Sequence, residues 1–158
     1  MKKVIAVFLM IIILFGTSSC RNKSQKPIDV IYVYHSAFGQ RYPEYKIDLK
    51  NKQYWKFTSD GYENFVNRDS LAENEGFTFV CSLDNDNIEA FIDDCLTYGF
   101  AEWNDTYNND EILDGHQWGI TIIFSDLTRK EIKGSNKYPK TWDEMYDAFK
   151  NLTGDRIL

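Results

Sequence analysis

The chain has 158 residues, with 18 basic against 24 acidic side chains and a formal net charge of −6. That length suits one domain around a single hydrophobic core. The acidic balance argues against a nucleic-acid partner, whose phosphates need a basic face, and against a broad electrostatic hold on anionic lipid.

In chain order the first element is a leader. Lys2 and Lys3 precede an apolar run from Val4 to Phe15, and Gly16, Thr17, Ser18 and Ser19 then lead to Cys20. This is the charged, apolar and small-residue order of a secretory signal. A helix over that run would cover about 18 Å against a hydrocarbon core of roughly 30 Å, too little for a permanent span. Residues 1–19 therefore read as a removable signal peptide.

Small residues directly before a cysteine resemble the lipobox of bacterial lipoproteins, with Thr17 in the place of that pattern's larger aliphatic residue. The resemblance implies cleavage before Cys20 and lipid on that cysteine, hence an exported chain anchored at a cell membrane or envelope surface. Two acyl chains would anchor stably where one is marginal. Residues 20–27 are polar and lack apolar periodicity, so they form the lipidated cysteine and its tether. Residues 28–158 are then a single domain, and the processed chain keeps 16 basic and 24 acidic residues, a net charge of −8.

Within the domain, residues 29–38 are rich in β-branched and aromatic side chains and predict a first strand. Residues 39–43 turn the chain. Residues 44–57 predict a hairpin, with Tyr45, Ile47 and Leu49 on one arm, Asn51 near the turn, and Tyr54, Trp55 and Phe57 on the other. Residues 60–75 are polar and irregular and read as a loop, with Phe65 and Leu71 as its apolar contacts. Residues 76–83 alternate as a strand that places Phe77, Phe79, Cys81 and Leu83 on one face.

A helix follows, because Ile88, Phe91, Ile92, Cys95 and Leu96 recur at three- and four-residue intervals. Asp86 and Glu89 suggest its capping box and Gly99 its stop. Residues 104–114 carry acids and asparagines in loop style. Residues 118–124 and 129–133 predict a second hairpin through the turn 125–128. After Pro139 a last helix is expected, with Thr141 and Glu144 as a capping box, Met145, Tyr146, Phe149 and Leu152 as its apolar stripe, and Gly154 behind it.

Hairpins interrupted by two helices imply an α+β fold, an antiparallel sheet of about five to six strands with two main helices packed on one face. A parallel nucleotide-binding sheet is disfavoured, since no βαβ alternation and no glycine-rich phosphate loop occur.

From Asp114-Gly115-His116-Gln117-Trp118 through Ile120–Asp126 to Gly134-Ser135-Asn136-Lys137-Tyr138-Pro139 and Trp142, the chain resembles a family of small bacterial lipoprotein-like α+β domains. That family shares an Asp-Gly before a Trp-containing strand and a Gly-Ser-Asn-x-Tyr-Pro segment before a closing helix. The resemblance covers roughly the C-terminal half, supports the fold and implies no activity. The same residues have local backbone reasons, as Gly and Asn tolerate left-handed turns.

Cys81 and Cys95 read as two buried thiols acting as small hydrophobes, although export would permit a disulfide. Without CxxC spacing, and with His35 and His116 far apart in sequence, no zinc set is expected. The acidic stretch from Asp105 to Asp114 lacks the order of an EF-hand, so loop chemistry explains it better than calcium. Tyr54, Trp55, Trp103 and Tyr107 are candidates for a glycan-stacking platform. His35 and Ser36 point to opposite faces of a strand, and no nucleophile elbow exists.

The expected function is a non-enzymatic binding domain at the envelope, without cofactor or metal. Its partners would be the membrane, through lipid on Cys20, and a protein or envelope component. Asp114, His116, Trp118, Asn136 and Tyr138 are the binding candidates. The alternative is a small envelope hydrolase using His116 with Asp114.

Overall fold

The computed structural model describes residues 25–36, 42–57, 76–112 and 115–158. The expected signal peptide, Cys20 and most of the expected tether, the expected turn at 37–41, the expected loop at 60–75 and Asp114 lie outside the described residues.

Among the described residues, seven strands form one sheet: β1 (Ile28–Ser36), β2 (Tyr42–Asp48), β3 (Gln53–Phe57), β4 (Phe77–Ser82), β5 (Thr106–Asn108), β6 (Gln117–Phe124) and β7 (Arg129–Ser135). Their spatial order is β4-β3-β2-β1-β6-β7-β5. All pairs are antiparallel except β5 with β7. Helix α1 (Asn85–Thr97) and helix α2 (Trp142–Thr153) complete an α+β domain.

The middle strand, β1, carries the register of the core. Ile31 lies opposite Ile47 on one side and Ile122 on the other, and Val33 lies opposite Ile120, which in turn faces Ile132. These alternate residues share one buried cluster with Phe91 and Cys95 of α1 and with Met145, Phe149 and Leu152 of α2. Phe91 and Phe149 meet at 4.8 Å between ring centroids, which locks the two helices together. Among the described residues no helix is long and apolar enough to cross a membrane.

The sheet has seven strands rather than the expected five to six, because Thr106–Asn108, read as loop, joins the edge as β5. Three polar residues carry no visible period. Main-chain pairing to Lys133, Gly134 and Ser135 forms the strand instead.

The face assigned to residues 77–83 also needs correction. Tyr54 pairs with Cys81 while its neighbour Trp55 pairs with Phe79, so Val80 is an extra residue, a β-bulge. The bulge reverses the alternation. Phe77 and Phe79 turn towards Phe57 and Trp55, at 5.5 and 5.3 Å between rings, while Cys81 and Leu83 stay with the core. Cys81 is half-buried and Cys95 buried, and both are free thiols.

Helix α1 starts two residues earlier than Asp86 suggests. Asp84 is the cap, with extended backbone and a carboxylate that accepts from the Asp86 N–H at 2.9 Å. Asp86 instead sits in the first turn, where its charge suits the helix dipole. Gly99 follows the helix at φ 64°, the left-handed position that a side chain would strain. Ile88, Phe91 and Cys95 are buried, but Ile92 and Leu96 from the same expected stripe are 41% and 49% exposed.

Thr141 does occupy the cap position of α2, yet its side chain makes no capping hydrogen bond. The hydroxyl donates to the Tyr98 carbonyl and accepts from the Trp103 indole N–H, both at 3.0 Å. It therefore fastens the start of α2 to the end of α1. Asp143 and Glu144 supply the charge at the helix start, and Gly154 closes the helix at φ 78°.

Candidate functional site

Antiparallel pairing of β1 with β6 sets His35 opposite Trp118, and His116 immediately precedes β6. Two histidines far apart in sequence thus become neighbours, with ring centroids 5.2 Å apart. Spacing along the chain could not show this. A long-range strand register does.

A carboxylate joins them through an irregularity of β2. Val33 pairs with Tyr45 and Tyr34 with Pro43, which leaves Glu44 as the extra residue of a bulge. Glu44 Oε2 lies 2.9 Å from His35 Nδ1. A carboxylate only accepts, so His35 Nδ1 donates, and in the neutral ring this tautomer leaves the lone pair on Nε2.

Tyr138 closes the other side. Its hydroxyl is 3.3 Å from His116 Nδ1, and its ring is 41% exposed. Partial burial, followed by the neighbouring His35, pulls the His116 pKa below its ordinary value, with Glu44 opposing. His116 is accordingly a neutral ring near neutral pH, open to solvent on one side.

The remaining binding candidates hold this arrangement in place. Asn136 has left-handed backbone at φ 52°, its side-chain oxygen accepts from the His116 N–H, and its own N–H donates to the His116 carbonyl, both at 3.0 Å. A Cβ on Gly115 would overlap the Asn136 side chain, which explains glycine there. Trp118 is buried, donates from its indole to the Lys137 carbonyl at 3.0 Å, and lies against Gly134, where a Cβ would collide with the indole.

Tyr138 stacks on Trp118 with 10° between planes at 6.0 Å, and Trp142 touches both rings, at 4.5 and 4.8 Å. The aromatic chain runs on through Trp103, Phe100 and Phe149 into the core. The exposed pair, His116 and Tyr138, is therefore backed by packed rings.

Four of the five expected binding residues meet here: His116, Trp118, Asn136 and Tyr138. Asp114 lies outside the described residues. His35 and Glu44 were missed as site residues. Their only sequence signal is Pro43, which cannot donate to a ladder and so favours a break in pairing nearby.

The glycan platform is not supported. Tyr54 is fully buried, Trp103 is 5% exposed, and Trp55 and Tyr107 are half-buried on different strands. These rings serve the sheet and the core. In the acidic stretch, Asp105 lies 3.6 Å from Lys130 and the chain continues into β5. Among the described residues no group of three or more His, Cys, Asp and Glu side chains is placed to hold a metal ion.

A groove of about 680 Å³ opens at the other end of the sheet, lined by Lys26, Lys130, Arg129 and Lys133 among others. Most of its cations are matched by acids, in the pairs Lys26–Asp126, Arg129–Glu131 and Lys130–Asp105. Comparison with family models, curated proteins and solved structures gives no match.

Proposed function

We propose that this chain is an exported lipoprotein, lipidated on Cys20, whose α+β domain presents the His116–Tyr138 surface to a protein or envelope component. It would belong with the lipoprotein-like family that its C-terminal half resembles. One observation supports the reading: the site and residues 26–27, where the chain enters the domain, lie at opposite poles of the sheet.

The tether enters beside the turn between β6 and β7. The Ser125 N–H donates to the Pro27 carbonyl at 2.9 Å, and Lys26 pairs with Asp126 at 2.7 Å. Ile28 at that end pairs with Phe124, whereas His35 and Ser36 reach Trp118 and Gln117 at the other. Seven strand residues at about 3.3 Å each separate the two poles by roughly 23 Å. A domain hung from Cys20 would present His116 and Tyr138 away from the lipid.

The test has two arms. Metabolic labelling with a fatty acid is expected to mark the wild type and not Cys20→Ala; equal labelling of both sinks the anchor. Capture from intact envelope by the wild type should be lost in a folded Tyr138→Ala, His116→Ala double variant, and retention of the same partner sinks the binding surface.

A second reading, a small envelope hydrolase, draws on the Glu44–His35 hydrogen bond, which resembles the orienting pair of a general base. It would engage His35 beside the expected His116 and Asp114. Hydrolysis of cell-wall fragments that vanishes in His35→Ala would favour it over binding alone.

A further inference from the structure

We propose that His35 and His116 together form a site for one divalent transition-metal cation, held through Nε2 of each ring, with water or a partner's group completing the coordination. This goes beyond the binding surface above and does not depend on lipid attachment.

Three observations carry it. First, two imidazoles bound through Nε2 to one tetrahedral ion at about 2.0 Å have centroids about 5 Å apart, and these rings stand at 5.2 Å. Second, the Nδ1 of His35 is engaged by Glu44, the carboxylate–histidine pairing that fixes tautomer and ring orientation in metal sites and leaves Nε2 as the ligand. Third, the Nδ1 of His116 has its own partner in Tyr138, whose hydroxyl both donates and accepts, so it can accept a hydrogen bond from Nδ1–H when Nε2 binds. Among the described residues no hydrogen bond engages either Nε2.

Imidazole pairs suit zinc and copper(II), and the general affinity order places copper(II) above its neighbours. Among the described residues, oxygen-seeking calcium and magnesium find one carboxylate here, already bonded to His35, and are not expected to bind.

The test uses the full chain in detergent, stripped of metal with a chelator and then titrated calorimetrically with zinc chloride and with copper(II). One ion per chain should bind saturably. His35→Gln and His116→Gln should each weaken binding at least tenfold, and Glu44→Gln should weaken it ten- to a hundredfold by releasing the His35 ring. Circular dichroism establishes that each variant folds. Copper(II) paramagnetic resonance on the wild type needs no substitution and should report two imidazole nitrogens. The site is overturned by an absence of saturable binding, by a copper spectrum without imidazole ligation, or by unchanged affinity in the folded double histidine variant.

Discussion

Gly134 shows how a single missing methyl group shapes the site. The Trp118 indole occupies the space where a Cβ would stand, and neither the indole, ringed by Tyr107, Tyr138 and Trp142, nor the paired main chain has room to yield. Gly134→Ala is expected to cost about 1–3 kcal/mol in urea unfolding, the usual range for forced overpacking. It should also disturb Tyr138, which stacks on the displaced ring. A neutral result would mean that Trp118 can leave Gly134 freely.

His116 gives the site a pH signature in metal-free buffer. Its pKa is lowered in the folded chain, mainly by partial burial and then by His35. The unfolded chain therefore binds the proton first. The folded state is fully favoured above the ordinary histidine value near 6.5, and stability is lost as pH falls below that value towards the lowered folded one. Urea midpoints at pH 7.5 and 5.5 should differ less in His116→Gln than in the wild type. An equal difference in both would place the titration elsewhere.

The local residue types were readable in the sequence, and their company was not. Of the residues read as turn formers, Asn136 has left-handed backbone, whereas Gly134 lies within β7, where its missing Cβ makes room for Trp118, and Gly115 makes room for the Asn136 side chain. His35 and Glu44 announced nothing, because their meeting depends on a strand register set by β6 and on one unpaired residue in β2.

At the scale of elements, periodicity located both helices and the strands that alternate cleanly, since a buried stripe or face leaves a period in the chain. It failed where local rules compete with tertiary ones. Asp84 and Asp86 are both plausible caps, and backbone geometry selected Asp84. Asp84→Ala should cost about 1 kcal/mol by thermal or urea unfolding, and Asp86→Ala clearly less. The reverse order would restore Asp86 as the cap.

Bulges were the second source of error, for a related reason. A bulge inserts one residue without changing composition, so the alternation of residues 77–83 looked continuous while Val80 reversed it. Thr141 adds a third case. Its hydroxyl was expected on its own helix, and the buried Trp103 indole, which needs an acceptor, took it instead.

For the whole molecule, the fold class was legible and the edge of the sheet was not. The α+β class follows from which elements are amphipathic and in what order. Strand β5 adds Tyr107 against Trp118, yet three residues of an asparagine-rich stretch give a sequence reader nothing to count. The proposed separation of anchor and site likewise belongs to the whole molecule, because residues 26–27 and the histidine pair come to lie at opposite ends only once β1 is laid between β2 and β6.

That placement of β1 has a mechanical consequence. Lipid at the N-terminus would make the middle strand of the sheet the load-bearing one. A partner drawing on the far pole would pull along β1, whose two antiparallel ladders lie side by side with the direction of tension. Their hydrogen bonds would then be sheared together rather than peeled one after another. The short edge strand β5 and the bulged β4 stand outside that line. Drag on an anchored chain would thus fall on the centre of the sheet and leave its edges unloaded, with His35 at the far end of the same strand and His116 beside it just before β6.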